Sequence, residues 1–408
     1  MIRGDDLAPA PRPQAAATSQ RVGWLDGIKA LAILWIAYFH CYEAYISKRL
    51  PSPLGSHYLG RFIRQANPHS TTGLASTLGQ AIFNAIAGVG FHAVGVFIVM
   101  SGFGLCLSLA RTNGPRGGWQ GWYRSRLLRL YPMYWAAHLL YLISPFQARL
   151  EAVDHRFFLS LLGDRVVPIY MMFYYLNPAW WYFGLILELY LVFPLLYAMM
   201  RRLGPGWFLL LCAIETIGSR YLVIYVLKTS GYYLLGAFFG CRLWEFALGM
   251  VVGTWYWHDR ARADARLLGL GGFVAGVVIY TAGLYTYGHG VAYTLTDALI
   301  GTGLFLILAQ IAWQTRRLPA LEAALAYLGV YSYGFYLVHQ PYVIYFGSRL
   351  HQLTMTEFAF AAIPLVAIVA YAASWLERGV NAVADRVLER PGRTAPPAPP
   401  AVRAASSQ

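Results

Sequence analysis

Apolar runs long enough to cross a bilayer recur from one end of the chain to the other, and no other feature narrows the fold as much. They fall at about ten places: 23–46, 80–110, 127–145, 178–200, 206–227, 231–257, 267–285, 291–313, 324–346 and 356–376. Crossing a hydrocarbon core takes about 20 residues of helix. Charged residues make up only 12% of the chain, where a soluble domain carries roughly a quarter. The expected fold is an all-α polytopic membrane protein with about ten transmembrane helices in one bundle.

The net charge of +14 fits that fold. With the N-terminus in the cytoplasm, the inner segments hold about 19 Lys and Arg and the outer ones about 9, as the positive-inside rule requires. Both termini are then cytoplasmic, and the basic excess gives no reason to invoke nucleic acid. Residues 1–21 are polar and rich in Pro and Ala, without the layout of a cleavable signal. They read as a disordered tail ahead of a membrane domain at 22–378. A second Pro/Ala-rich tail follows at 379–408. Two longer outer segments, 47–79 and 146–177, suit a cap or an acceptor entrance, and 157–176 is apolar enough to be re-entrant. Cys41, Cys106, Cys212 and Cys241 all fall in apolar runs with no CxxC pairing. They read as small buried hydrophobes, with no metal site expected.

Ionisable side chains within spans are costly, so they are the first functional candidates. Asp26, Lys29 and His40 share the opening run. Eleven residues separate Lys29 from His40, which is three turns plus about 20°, so both lie on one face with about 16 Å of rise between them. A phosphate-bearing group could dock on Lys29 while a flexible arm carries its reactive end to His40, whose imidazole could deprotonate a hydroxyl. An interfacial Asp26–Lys29 pair and a packing histidine explain the same residues equally well. Ser101-Gly102 reads first as tight helix packing, and no base neighbours Ser101 in sequence to make it a nucleophile. Arg126 and Arg129, three apart beside Arg124, match phosphate oxygens or simply flank the membrane. Glu188, the Arg242–Glu245 pair, and Ser332, Tyr333 and His339 complete the set. Arg242–Glu245 reads better as a packing pair than as catalytic. Taken together, these residues argue for a polar cavity inside the bundle.

In this order the motifs resemble the membrane acyltransferase-3 family, whose members acylate bacterial surface polysaccharides and some natural products. The resemblance spans roughly 20–378. LDGIKALAILWIAYFH is similar to the family's Leu-Asp-Gly-x-Arg-Gly-x-Ala run ending in a histidine, with Lys29 in the Arg position and His40 in that of the histidine implicated in catalysis. FIVMSGF resembles a Phe-Phe-x-x-Ser-Gly-aromatic signature through Phe97, Ser101 and Gly102. Arg126-x-x-Arg129 resembles the element associated with the acyl-CoA donor. Trp181, Tyr190 and Pro194 follow another family helix, with its acidic positions replaced by Ile186 and Leu187 while Glu188 sits alongside. Arg242, Glu245, Gly249, Ser332, Tyr333 and His339 match two further patterns.

The resemblance implies a bacterial inner-membrane O-acyltransferase using acyl-CoA, most often acetyl-CoA, as co-substrate and no bound cofactor. It assigns catalysis to His40 and donor binding to Lys29, Arg126, Arg129 and Ser101. Trp181, Glu188, Arg242, Glu245, Tyr333 and His339 would line the cavity or meet the acceptor, a glycan or lipid-linked sugar. The competing class is a transporter or flippase of a lipid-linked glycan, which would use the same buried charges. No internal repeat is visible to support it.

Overall fold

The computed structural model describes residues 22–46, 50–55, 57–66, 74–144, 155–163, 176–228 and 232–387, among which there is no strand. Fifteen α-helices follow in order: α1 (Gly23–Ile46), α2 (Tyr58–Ala66), α3 (Leu74–Gly88), α4 (Ala93–Arg111), α5 (Gly118–Leu142), α6 (His155–Leu162), α7 (Trp181–Tyr221), α8 (Tyr232–Ala237), α9 (Leu243–His258), α10 (Arg260–Leu267), α11 (Leu270–Thr286), α12 (Thr296–Gln314), α13 (Pro319–Val330), α14 (Ser332–Arg349) and α15 (Met355–Val387). The expected limit at 378 falls inside α15. Residues 1–21, the tail from 388 and most of the expected re-entrant stretch (164–175) lie outside the described residues.

Four helical stretches are long and apolar enough to cross a membrane: Ser76–Arg111, Pro178–Val226, Gly290–Arg317 and Met355–Val387. A fifth appears if α10 and α11, bent by 54°, count together. That is fewer than the ten expected, in part because the run 231–257 is divided between α8 and the 16-residue α9, and for two further physical reasons. The expected runs 178–200 and 206–227 join as α7, broken at Gly204 (φ 77°, ψ 163°) and resumed at Pro205. Only glycine takes that φ without a steric cost, and proline opens the next arm without needing an N–H partner. In addition, α1, α5 and α14 hold many of the polar candidates, which dilute their hydropathy.

The outward faces are bare hydrocarbon. Leu210, Ile214 and Ile217 on α7, Val274, Val277 and Val278 on α11, and Phe360, Ile363 and Ile368 on α15 are exposed. A soluble monomer rarely leaves apolar patches of that extent to water. The chain is a membrane protein.

α1 is the hub, packed against α4, α12, α13 and α14, with Ile28, Ala32, Ile33 and Ala37 buried. Its apolar residues pack on these neighbours, while Lys29 and His40 leave it one polar face. Beside it α4 crosses α9 at backbone contact. A Cβ on Gly102 would sit 2.1 Å from the Phe246 carbonyl oxygen, and one on Gly249 would sit 1.9 Å from that of Val99. Small residues let helices approach this closely in lipid, so Gly102 serves packing. The four cysteines are buried and free.

Candidate active site

His40 lies three-quarters of the way along α1, its side chain 18% exposed and its Nδ1 3.7 Å from Glu43 Oε2. From α14 comes His339, with ring centroids 5.4 Å apart and planes tilted by 35°. The two histidines are 299 residues apart in sequence, and the fold brings them together.

α14 is held firmly where it carries His339. Pro341 has no N–H, so the carbonyl four residues earlier, on Leu337, loses its helical partner. Two donors from the turn that opens α7 take its place. Trp180 Nε1 donates to Leu337 O at 2.8 Å and Asn177 Nδ2 at 3.1 Å. The same turn is bonded twice more, since the Ala179 N–H donates to Gln340 Oε1 at 2.7 Å and Tyr336 OH donates to the Ala179 carbonyl. At the other end, the unpaired Gly334 N–H of the first helical turn donates to Glu377 Oε2 at 2.8 Å. Tyr333 OH donates to Leu130 O on α5 at 2.8 Å, which makes it a tie between helices.

From His339 the polar groups continue toward α4. Tyr336 and Tyr182 meet edge to face at 5.4 Å, and Tyr182 OH lies 3.5 Å from Ser101 Oγ. Ser101, Gly104, Ser108 and Arg111 fall at i, i+3, i+7 and i+10, on one face of α4. That face is open at Gly104, where a Cβ would meet nothing within 4 Å. Further along it Ser108 Oγ accepts from Arg126 Nη2 at 3.1 Å, and the same guanidinium lies 5.5 Å from the Trp122 ring centre. Arg129 is exposed, so the two arginines sit in different surroundings. Lys29 Nζ pairs with Asp26 Oδ1 at 3.0 Å.

A second cluster gathers Arg242 and Glu245. Arg242 Nη2 lies 3.1 Å from Glu245 Oε1 and Arg242 Nη1 2.8 Å from Asp297 Oδ2; Arg220 closes on the same Asp297 oxygen. Two positive and two negative groups from α7, α9, α12 and the turn Gly240–Arg242 thus neutralise one another. Sequence reasoning found Arg242 and Glu245 but missed Arg220 and Asp297. Each is a charge in an apolar run, which should itself have been the flag. Glu188 Oε2 accepts the Phe239 N–H at 2.9 Å, ahead of that turn. Trp181 packs on Gly236 of α8. Neither Glu188 nor Trp181 is brought to the histidine pair by these contacts.

An open surface depression of about 560 Å³ lies at α2, lined by His57, Tyr58, Arg61 and Arg64 among others. Asn84 Nδ2 donates to Tyr58 OH at 2.7 Å, and Tyr42 OH donates to Asn84 Oδ1 at 2.5 Å. That chain of bonds ends two residues from His40 on α1.

Chemically, the arrangement offers a half-buried imidazole facing a second one, and a strip of hydroxyls leading from them to a guanidinium. It suits proton transfer at one end and anion binding at the other. No curated protein and no solved structure matches the chain. A family model described as an acyltransferase domain matches residues 22–376, nearly the whole described chain, and the protein belongs to the acyltransferase-3 family.

Proposed function

We propose that this protein is a membrane-embedded O-acyltransferase that moves an acyl group, foremost acetyl, from cytoplasmic acyl-CoA to a hydroxyl of a glycan or lipid-linked sugar. The observation that carries this reading is His40, a half-buried imidazole set against His339 within an acyltransferase-3 chain. The reading places about ten spans in a bacterial inner membrane, with both termini in the cytoplasm. The positive-inside count supports it.

In this reading the CoA phosphates meet Lys29, Arg126 and Arg129 at the cytoplasmic side, and Ser101 lies along the path of the pantetheine arm. The thioester then reaches His40. His40 takes the proton of the acceptor hydroxyl as its oxygen attacks the thioester carbonyl. The C–S bond breaks, and the departing thiolate takes the proton back from the imidazolium. A variant of the same chemistry has His40 carry the acyl group between the two half-reactions. Either way, a water-poor setting limits thioester hydrolysis. The expected polar cavity would open along the Ser101–Ser108 face of α4, and the acceptor would enter from the side of α2.

A flippase would need buried charges but no imidazole pair. His40→Ala separates the two readings. Acyl content of surface glycans, measured by mass spectrometry at matched protein levels, should vanish in the variant; persistent acylation would refute the enzyme.

A further inference from the structure

His339 has its hydrogen-bonding direction decided by its own helix. Its Nδ1 lies 2.8 Å from the Tyr336 carbonyl oxygen and 3.1 Å from that of Phe335. A carbonyl only accepts, so Nδ1 holds the proton and Nε2 holds the lone pair. That Nε2 is buried and has no hydrogen-bond partner, and the residue is 0% exposed. A buried acceptor without a donor is uncommon in folded proteins and calls for an explanation.

The nearby imidazole is His40. Ring nitrogens stand about 1.1 Å from their ring centres, so centroids 5.4 Å apart let two nitrogens turned toward each other come to roughly 3 Å, the span of one N–H···N bond. A small turn of the less buried partner, His40, would complete the bond, whereas His339 is fixed by the two carbonyls behind it. The contact of His40 with Glu43, at 3.7 Å, is too long to compete as a hydrogen bond.

We infer that His339 is a positioning residue for His40. Its acceptor-only Nε2 takes an N–H of His40, which fixes the tautomer and ring direction. The other His40 nitrogen then presents its lone pair to the acceptor hydroxyl. A carboxylate could orient the base in the same way but would add a full negative charge beside it; a neutral imidazole does so without one. The inference rests on the proposed function and adds the group that holds its base.

The test uses membranes containing each full-length variant, supplied with [14C]acetyl-CoA, with transfer of label to the endogenous acceptor followed at several acetyl-CoA concentrations. H339F keeps a ring of similar size and removes the acceptor atom; H339Q restores an acceptor in its Oε1. Loss of an orienting partner of this kind costs about 10–100-fold. H339F should therefore lose that much in maximal rate with KM for acetyl-CoA unchanged, and H339Q should regain most of it. Wild-type rate in H339F, or equal loss in H339F and H339Q, would overturn the inference. H40A run alongside separates the two levels: active H40A membranes sink the proposed function itself, while inactive H40A beside a fully active H339F sinks only the positioning role.

Discussion

Two polar clusters lie inside the same bundle and are built on opposite plans. Arg220, Arg242, Asp297 and Glu245 bring two charges of each sign into mutual contact. Some of their atoms lack hydrogen bonds, Glu245 Oε2 and Arg242 Nε among them, yet the net charge is balanced. At the histidine pair nothing is balanced in advance: His40 has only a long polar contact with Glu43, and His339 Nε2 makes no hydrogen bond. Charges that neutralise each other tie helices together and leave nothing over for a substrate. Neutral rings with an unused lone pair cost less to bury and remain available for proton transfer. Polarity inside a membrane protein is therefore ambiguous until its partners are counted.

The comparison breaks most directly at His40. His40→Ala should lower acyl transfer by about 10²–10⁴-fold, the range for loss of a general base, while leaving the thermal midpoint of the detergent-solubilised protein in place. A large drop in midpoint would move His40 into the structural class.

Arg242→Met should do the reverse. It strands Glu245, which is 0% exposed, and breaking a buried pair from one side costs about 3–5 kcal/mol. Thermal unfolding in detergent should show that loss, with acyl transfer per folded molecule close to wild type. Arg242→Met with Glu245→Leu should recover much of the stability, because no charge is then left alone. A double variant no better than the single one would mean that Arg242 answers chiefly to Asp297.

How far these differences were legible beforehand depended on whether the cause was local. The break in α7 was written in Gly204-Pro205, and the packing role of Gly102 in its place within an apolar run. Lys29 and His40 follow from helical geometry alone. The meeting of His40 with His339 does not, because it depends on how α1 packs on α14. Nor does the frame around His339, where Pro341 frees a carbonyl that Trp180 and Asn177 then bond from the turn before α7. Asp297 and Arg220 could have been found, since the rule that singled out Arg242 applied equally to them. The number of spans was blurred for a physical reason: the helices that carry polar candidates are by that fact less apolar.

Arg126 and Arg129 look equivalent in sequence, and the structure separates them. Arg126 is half-buried, bonded to Ser108 and set over Trp122, whereas Arg129 is exposed. An ordered guanidinium loses less freedom on gripping a phosphate. Arg126→Ala should raise KM for acetyl-CoA about tenfold, and Arg129→Ala no more than about fivefold, since exposed charge pairs contribute about 1 kcal/mol at most. Equal effects would return both to simple membrane flanking.

The smallest effect is expected at Lys29. It stands where the family pattern has arginine, paired with Asp26 at 3.0 Å and with a third of its side chain exposed. An ammonium offers a phosphate one point of contact, where a guanidinium offers a fork. Lys29→Arg should therefore lower KM for acetyl-CoA by about two- to fivefold, a gain near 1 kcal/mol that is typical of one added charge-assisted hydrogen bond. Maximal rate should not change, because Lys29 lies about 16 Å along α1 from His40 and contributes nothing at the reacting atoms. Lys29→Met should raise KM in the opposite direction. If neither substitution moves KM, Lys29 belongs with Arg242 as a charge that only neutralises its neighbour, and the donor's phosphates must be held by Arg126 without it.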